Sequence, residues 1–168
     1  MTQPFPQWQW GSPDSALSRM AGRFAATTAG SWVIRKLTPL DRRVLERTGA
    51  KYTVLGPIGA PVLLLTTTGR KSGLPRTQPL LYVHDGDTLY VIGSNFGQAR
   101  HPAWTANLLA EPSATVAVAG ERIPVTATPV EDSAKAEIFA RFVELTSAYA
   151  TYRERTSRDL HIFALARA

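Results

Sequence analysis

The chain has no cysteine among its 168 residues, which excludes disulfides, thiolate nucleophiles and zinc–sulfur sites and agrees with a reducing compartment. Only three histidines occur, His84, His101 and His161. They lie far apart without ligand spacing, so no metal site is expected. No apolar stretch approaches the roughly 20 residues that span a bilayer. The N-terminal MTQPFPQWQWGSPD lacks the basic start and apolar core of a secretory signal. The expectation is a cytoplasmic protein, soluble or peripheral at the inner face of a membrane. Negative charge is also scarce: 13 acidic side chains stand against 19 lysines and arginines, for a net charge of +6. That balance favours an anionic partner, whether nucleic acid, acidic lipid or a polyanionic small molecule.

Hydrolytic machinery is missing as well. No serine sits in a Gly-x-Ser-x-Gly elbow, no carboxylate pair stands out, and no dinucleotide fingerprint is present. A cofactor that brings its own reactivity would account for this poverty, leaving the protein to bind and orient it.

What is present is a pattern of strands after a helical start. Residues 1–13 read as an irregular arm in which Trp8 and Trp10 need cover. Helical spacing begins near Asp14, a plausible N-cap. A second helix is expected from Ser31 and a third from Thr38-Pro39, ending before Gly49. Strands are expected at 52–55, 62–68, 76–83, 88–93, 115–119, 122–130 and 160–165, mostly joined as hairpins. A short helix opens at His101-Pro102, and another is capped by Asp132. Six or seven strands of this kind make an antiparallel, barrel-like sheet of the α+β class rather than a parallel nucleotide fold. No linker divides the chain, so the arm and helices of 1–50 belong to one unit with a barrel over 51–168.

The most informative segment is LLLTTTGRKSGLPRTQP, Leu63 to Pro79. A β-branched run empties into a turn in which Gly69 and Gly73 bracket Arg70, Lys71 and Ser72, and Arg76 follows. Glycines let such a turn aim its N–H groups at one point, which with the cations makes an anion site. The plainer alternative is a hairpin turn with solvated charges. A second basic cluster, from Arg19 to Lys51, lies beside Trp32, Val33 and Leu37. It reads either as the solvated face of packed helices or as a peripheral contact with anionic membrane. Nucleic-acid binding ranks last, because the strands are apolar and the basic residues fall on helices.

Several separated motifs, in order, resemble the deazaflavin-dependent nitroreductase family. They are Leu65-Thr66-Thr67-Thr68-Gly69-Arg70-Lys71-Ser72-Gly73, Pro75-Arg76, Pro79-Leu80, Asp85-Gly86, Ser94, Gly97, His101-Pro102-x-Trp104-x-x-Asn107-Leu108 and Pro112, with Tyr149, Tyr152 and Arg158 beyond. The resemblance implies a split β-barrel of the FMN-binding kind with N-terminal and inserted helices, and it implies the reduced deazaflavin coenzyme F420. It further implies that Arg70, Lys71, Ser72, Gly73 and Arg76 hold the coenzyme's phosphodiester and glutamate tail. Pro79, Leu80, Ser94, Asn95, Phe96, Gly97, Trp104 and Asn107 would line the ring and its side chain. Ser94, Tyr149 and Tyr152 would act in catalysis, stabilising the anion formed when a hydride passes to a quinone, enone or nitroaromatic. Packing is the alternative role for both tyrosines and for Trp104. Relatives often carry a small residue at Phe96 and a base near Asn95, so this loop is bulkier and uncharged. They also carry a proline within Leu160-His161-Ile162. FMN or heme in the same barrel, or a non-catalytic deazaflavin or lipid binder, remain as alternatives. The chain would be a monomer or homodimer.

Overall fold

The computed structural model describes residues 4–168 except Leu55 and Ile58. Two helices come first: α1 (Ala16–Ala26) and α2 (Thr28–Thr48). The N-cap of α1 is Ser15 rather than Asp14; its hydroxyl accepts from Ser18 N–H at 3.0 Å. Thr27, in extended conformation, both closes α1 and caps α2 through Gly30 N–H at 2.9 Å. The second and third expected helices are one. α2 runs straight through Pro39, and Thr38, read as a cap, instead donates its hydroxyl to the Ile34 carbonyl at 3.0 Å.

Six antiparallel strands follow: β1 (Val62–Thr68), β2 (Pro75–Asp85), β3 (Thr88–Ile92), β4 (Ser113–Val118), β5 (Glu121–Pro129) and β6 (Ile162–Arg167). They close into a barrel in the order β1-β2-β3-β6-β5-β4. Closure removes the exposed sheet edges. Three short helices are inserted: α3 (Ala103–Ala110), α4 (Asp132–Leu145) and α5 (Ala148–Glu154). Glu131, not Asp132, is the N-cap of α4. The strand expected at 52–55 does not form over Tyr52–Val54, and Leu55 lies outside the described residues.

Strand alternation decides which side chains fill the barrel. In β5, Ile123, Val125 and Ala127 point inward while Pro124, Thr126 and Thr128 face out. They meet Leu63, Leu65, Leu89, Val91, Val116, Val118, Phe163 and Leu165, with Trp104 and Leu108 from α3 and Phe5 from the arm. Burial of this magnitude supplies about 1.5–3 kcal/mol for each large apolar side chain. β1 is buried on both faces because Leu64 packs outward against Leu45 of α2. The far wall carries α4 and α5, whose Ile138, Phe142, Tyr149 and Tyr152 cover Val83, Ile92 and Ile162. His161 lies just before β6, and its carbonyl accepts from Gly93 N–H at 2.8 Å, next to the Ile92–Ile162 pair that ends the β3–β6 ladder.

The arm is cover for this body. Trp8 donates its indole N–H to the Lys51 carbonyl at 3.0 Å, and Trp10 stacks edge-on against Tyr52 at 5.1 Å. The α2 terminus is seated on the barrel by a contact only glycine permits. Gly120 N–H bonds the Gly49 carbonyl at 2.7 Å, and a Cβ on Gly49 would stand 2.5 Å from Gly120 Cα. One end of the helical hairpin is thereby fixed to the β4–β5 turn.

Candidate functional site

Between the α1–α2 hairpin and the barrel lies a cavity of about 1490 Å³. Its walls come from α1 and α2, the β1–β2 turn, β2, the loop after β3, the start of α3 and the α4–α5 junction. Of the residues expected from the sequence, Arg70, Lys71, Ser72, Arg76, Pro79, Leu80, Ser94, Asn95, Phe96, Trp104, Asn107, Tyr149 and Tyr152 all line it. Gly73 and Gly97 do not. Both are turn-formers: Gly73 adopts φ +67 to close the β1–β2 turn, and Gly97 adopts φ +75.

The β1–β2 turn is organised differently from the sequence expectation. Gly69 N–H bonds Leu74 O at 2.8 Å, and Ser72 and Gly73 N–H groups both bond Gly69 O, at 3.1 and 2.7 Å. Leu74 N–H goes to Ser72 Oγ, and Arg70 N–H goes to Asn107 Oδ1. Among these amides only that of Lys71 has no partner among the described residues, so the turn does not form a cradle of backbone N–H groups. The donors the turn leaves open are in its side chains. Arg70, Lys71 and Arg76 are exposed, and none of the three enters an ion pair with a described residue.

The loop after β3 is the converse case. Ser94 is right-handed, then Asn95, Phe96 and Gly97 take φ of 45, 55 and 75 in succession. Gly97 and Gln98 donate back to Ser94 and Asn95 carbonyls, but the N–H groups of Asn95 and Phe96 bond none of the described residues. Left-handed asparagine is common, whereas left-handed phenylalanine costs on the order of 1 kcal/mol. Ala50 and Ala119 are left-handed as well, away from the cavity, so it is the unbonded N–H groups that set this loop apart. Gly97 brings the loop against α5, since a Cβ there would stand 2.6 Å from the Tyr152 carbonyl.

Asn107 joins the two regions. It is 5% exposed; its amide donates to Thr67 Oγ1 at 3.0 Å while its carbonyl takes Arg70 N–H at 3.1 Å. Trp104, one turn earlier on α3, packs against Phe163 at 5.8 Å in the barrel core and also borders the cavity. The polar amide thus serves the turn's geometry.

The two tyrosines separate. Tyr152 donates its hydroxyl to the Ala25 carbonyl at 2.9 Å, tying α5 to the end of α1. Tyr149 has no hydrogen-bond partner among the described residues. Burial, reinforced by the neighbouring Tyr152, pushes its phenol well above the ordinary range. It is a donor throughout the working range of pH. Ser94 is buried, and its carbonyl is held by Arg158 at 2.7 Å. No cluster of three metal-ligating side chains occurs among the described residues.

Residues 32–167 match the model of the F420H(2)-dependent quinone reductase family. The chain belongs to that family. It is an oxidoreductase whose coenzyme is F420, which settles the choice against FMN and heme. The nitroreductase motifs quoted above lead to the same group under a related name. An F420H(2)-dependent quinone reductase of Mycobacterium tuberculosis is 39% identical over 115 residues, covering 66% of this chain and 76% of the relative. A solved F420-H2 dependent reductase is 32% identical with TM-score 0.58, over 62% of this chain and 93% of that one. A solved domain-swapped dimer is 28% identical with TM-score 0.60, over 82% and 99%.

The donor set suits a deazaflavin with an acidic tail: unpaired cations at one place, and free amides in an apolar-walled loop at another. Three further features were given no role from the sequence. Arg155 bonds Ser31 Oγ at 3.1 Å and the Ala26 carbonyl, fastening the helical hairpin to α5. Asp41 Oδ1 accepts from Thr53 Oγ1 at 2.6 Å and Val54 N–H at 2.8 Å, fastening α2 on the other side. Arg158 grips the left-handed loop. Only Arg158 left a trace, as part of the resemblance; the other two depend on contacts that no local pattern encodes.

Proposed function

We propose that the cavity holds reduced F420 with its ring at the Ser94–Gly97 loop and its acidic tail at Arg70, Lys71 and Arg76, and that the chain reduces a quinone lying against the ring. One observation carries the reading. Three cations without an ion-pair partner and two residues whose N–H groups are unbonded, both taken among the described residues, line the same cavity. Arg70, Lys71 and Arg76 supply charge-assisted hydrogen bonds to phosphate and carboxylate oxygens. Asn95 and Phe96 N–H groups supply fixed donors for ring carbonyls, and because they are already oriented no reorganisation is needed. Pro79, Leu80 and Trp104 form the apolar wall against which a flat ring stacks.

Bound there, the coenzyme supplies a hydride, and a quinone that accepts it takes up one proton to become the hydroquinone. Tyr149 is the group placed to donate a hydrogen bond to the quinone oxygen as negative charge develops. Its raised pKa suits it to stabilising that oxygen and not to surrendering the proton, which comes from water. Tyr152 holds α5 and α1 together, and Ser94 shapes the loop.

The α1–α2 wall offers an entry for an apolar acceptor. α1 has no buried residue, and Leu17, Met20 and Phe24 are 50%, 67% and 48% exposed, with Trp32 and Leu40 at 53% and 50% on α2. Seven cations and two carboxylates share these helices. An apolar face framed by cations fits an anionic lipid surface, and the charge disfavours pairing with a second copy. The experiment for the overall reading is anaerobic oxidation of reduced F420 by a panel of quinones, enones and nitroaromatics. Turnover fastest with quinones supports it; binding without acceptor-dependent oxidation overturns it.

A further inference from the structure

The Ser94–Gln98 loop has to be held in place, because two of its three left-handed residues carry side chains. One side chain reaches both ends of it. Arg158 Nη2 donates to the Ser94 carbonyl at 2.7 Å and Nε donates to the Gln98 carbonyl at 2.9 Å, so a single guanidinium spans the left-handed run. Its third contact, Nη1 to His101 Nδ1 at 3.2 Å, reaches the residue that precedes the α3 cap. Arg158 is itself fixed, with its carbonyl accepting from Arg153 at 2.9 Å and its N–H bonding Thr156 Oγ1 at 3.3 Å. It does not line the cavity. Any effect on the coenzyme therefore passes through the loop or through His101, which does line the cavity.

We propose that Arg158 is a positioning residue of the coenzyme site, clamping the Ser94 and Gln98 carbonyls so that the N–H groups of Asn95 and Phe96 stay free and aimed into the cavity. The clamp rests on the reading that the ring docks at this loop. The planar guanidinium is what the task requires, since it offers several donors in one rigid fork. Lysine, with a single rotatable ammonium, cannot span both carbonyls in the same geometry.

His101 makes the clamp sensitive to pH. Arginine only donates, so Nδ1 of His101 must be the unprotonated nitrogen. Protonation turns that acceptor into a donor facing a cation. The charged and titratable neighbours are Arg158, His161 stacked at 4.4 Å, and Asp159, with Arg100 adjacent in the chain. Desolvation, then Arg158, then His161 hold the imidazole below its ordinary pKa, and Asp159 opposes them. The neutral form is thus favoured in the folded protein. The unfolded chain binds the proton more readily, so the contribution to stability is complete above the ordinary value of about 6.5 and declines as pH falls through it.

Two variants and two readouts test the proposal. In ligand-free protein, Arg158→Lys shifts the backbone carbon resonances of residues 95–97 away from left-handed values; unchanged resonances overturn the clamp whatever F420 does. By deazaflavin fluorescence, the same variant binds F420 roughly tenfold more weakly, the scale of one or two charged hydrogen bonds. In turnover its KM for reduced F420 rises by more than kcat falls. Wild-type F420 affinity drops between pH 7.5 and 5.5, and His101→Gln, which keeps a neutral acceptor, flattens that profile. Equal profiles for the two proteins overturn the role of His101, and wild-type affinity for F420 in Arg158→Lys overturns the role of Arg158. Should Arg158→Lys fail to fold, Arg158→Gln takes its place in the resonance and affinity measurements, with the same outcomes overturning the clamp. If wild-type protein does not bind F420, the functional reading fails, while the resonances still judge the clamp.

Discussion

Asn107 Oδ1 accepts the backbone N–H of Arg70 at 3.1 Å across 37 positions of sequence, while its amide reaches Thr67 Oγ1. Through this one side chain α3 fixes the turn that carries Arg70 and Lys71. Asn107 lies about 6 Å along the helix from Ala103, at the rise of 1.5 Å per residue. The β1–β2 turn and the loop that precedes α3 are thereby held in one frame.

Asn107→Leu leaves Thr67 Oγ1 and Arg70 N–H without their partner in a buried setting. The expected loss is about 1–3 kcal/mol of stability, or roughly 2–10 °C in Tm for a chain of this size. F420 affinity falls with it. Thermal unfolding followed by a fluorescence titration measures both, and an unchanged affinity would show that the Asn107 link does not matter to the coenzyme.

The tyrosines give opposite outcomes. Tyr152→Phe removes the bond to Ala25 O and lowers stability by about 1 kcal/mol, with kcat little changed. Tyr149→Phe removes a hydroxyl without a protein partner, so stability holds while kcat with quinone drops about tenfold or more. Burial keeps Tyr149 protonated, so its removal leaves the pH dependence of kcat below pH 10 unaltered. Steady-state rates beside melting curves separate the two residues.

Co-sedimentation tests the α1–α2 face. The protein pellets with vesicles rich in anionic lipid at low ionic strength and is released by salt, as screening requires. Leu17→Ser combined with Met20→Ser weakens the binding. Protein that stays in the supernatant in low salt contradicts a peripheral contact, and elution as a dimer that these substitutions dissociate assigns the face to a second copy.

Much of the fold is legible in the sequence because its causes are local. The alternation of Ile123, Val125 and Ala127 announces a half-buried strand, and the Asp85–Thr88 turn announces a hairpin. Pro39 misled because a proline that opens a helix and one carried inside it look alike until the preceding turns are placed. The candidate site was legible in membership more than in role. Arg70, Lys71, Ser94 and Tyr149 do share one cavity. The turn's amides, however, close on the turn itself, and Asn107 serves that turn. Which donors remain free depends on long-range bonds such as Asn107 to Arg70 and Arg158 to Ser94, and no local pattern specifies those.

The central claim, one cleft that takes the acidic tail at the β1–β2 turn and the ring at the left-handed loop, is tested most directly by titrating wild-type protein and the Arg70→Ala/Lys71→Ala/Arg76→Ala variant. The two probes are F420 and the same deazaflavin lacking the phosphate and glutamates. The account predicts that the triple variant binds F420 at least about tenfold more weakly, at roughly 0.5–1 kcal/mol per exposed cation. It also predicts that salt weakens F420 binding to wild type and that both proteins bind the truncated deazaflavin alike. Equal affinity of both proteins for F420, or a matching loss for the truncated ring, would contradict it.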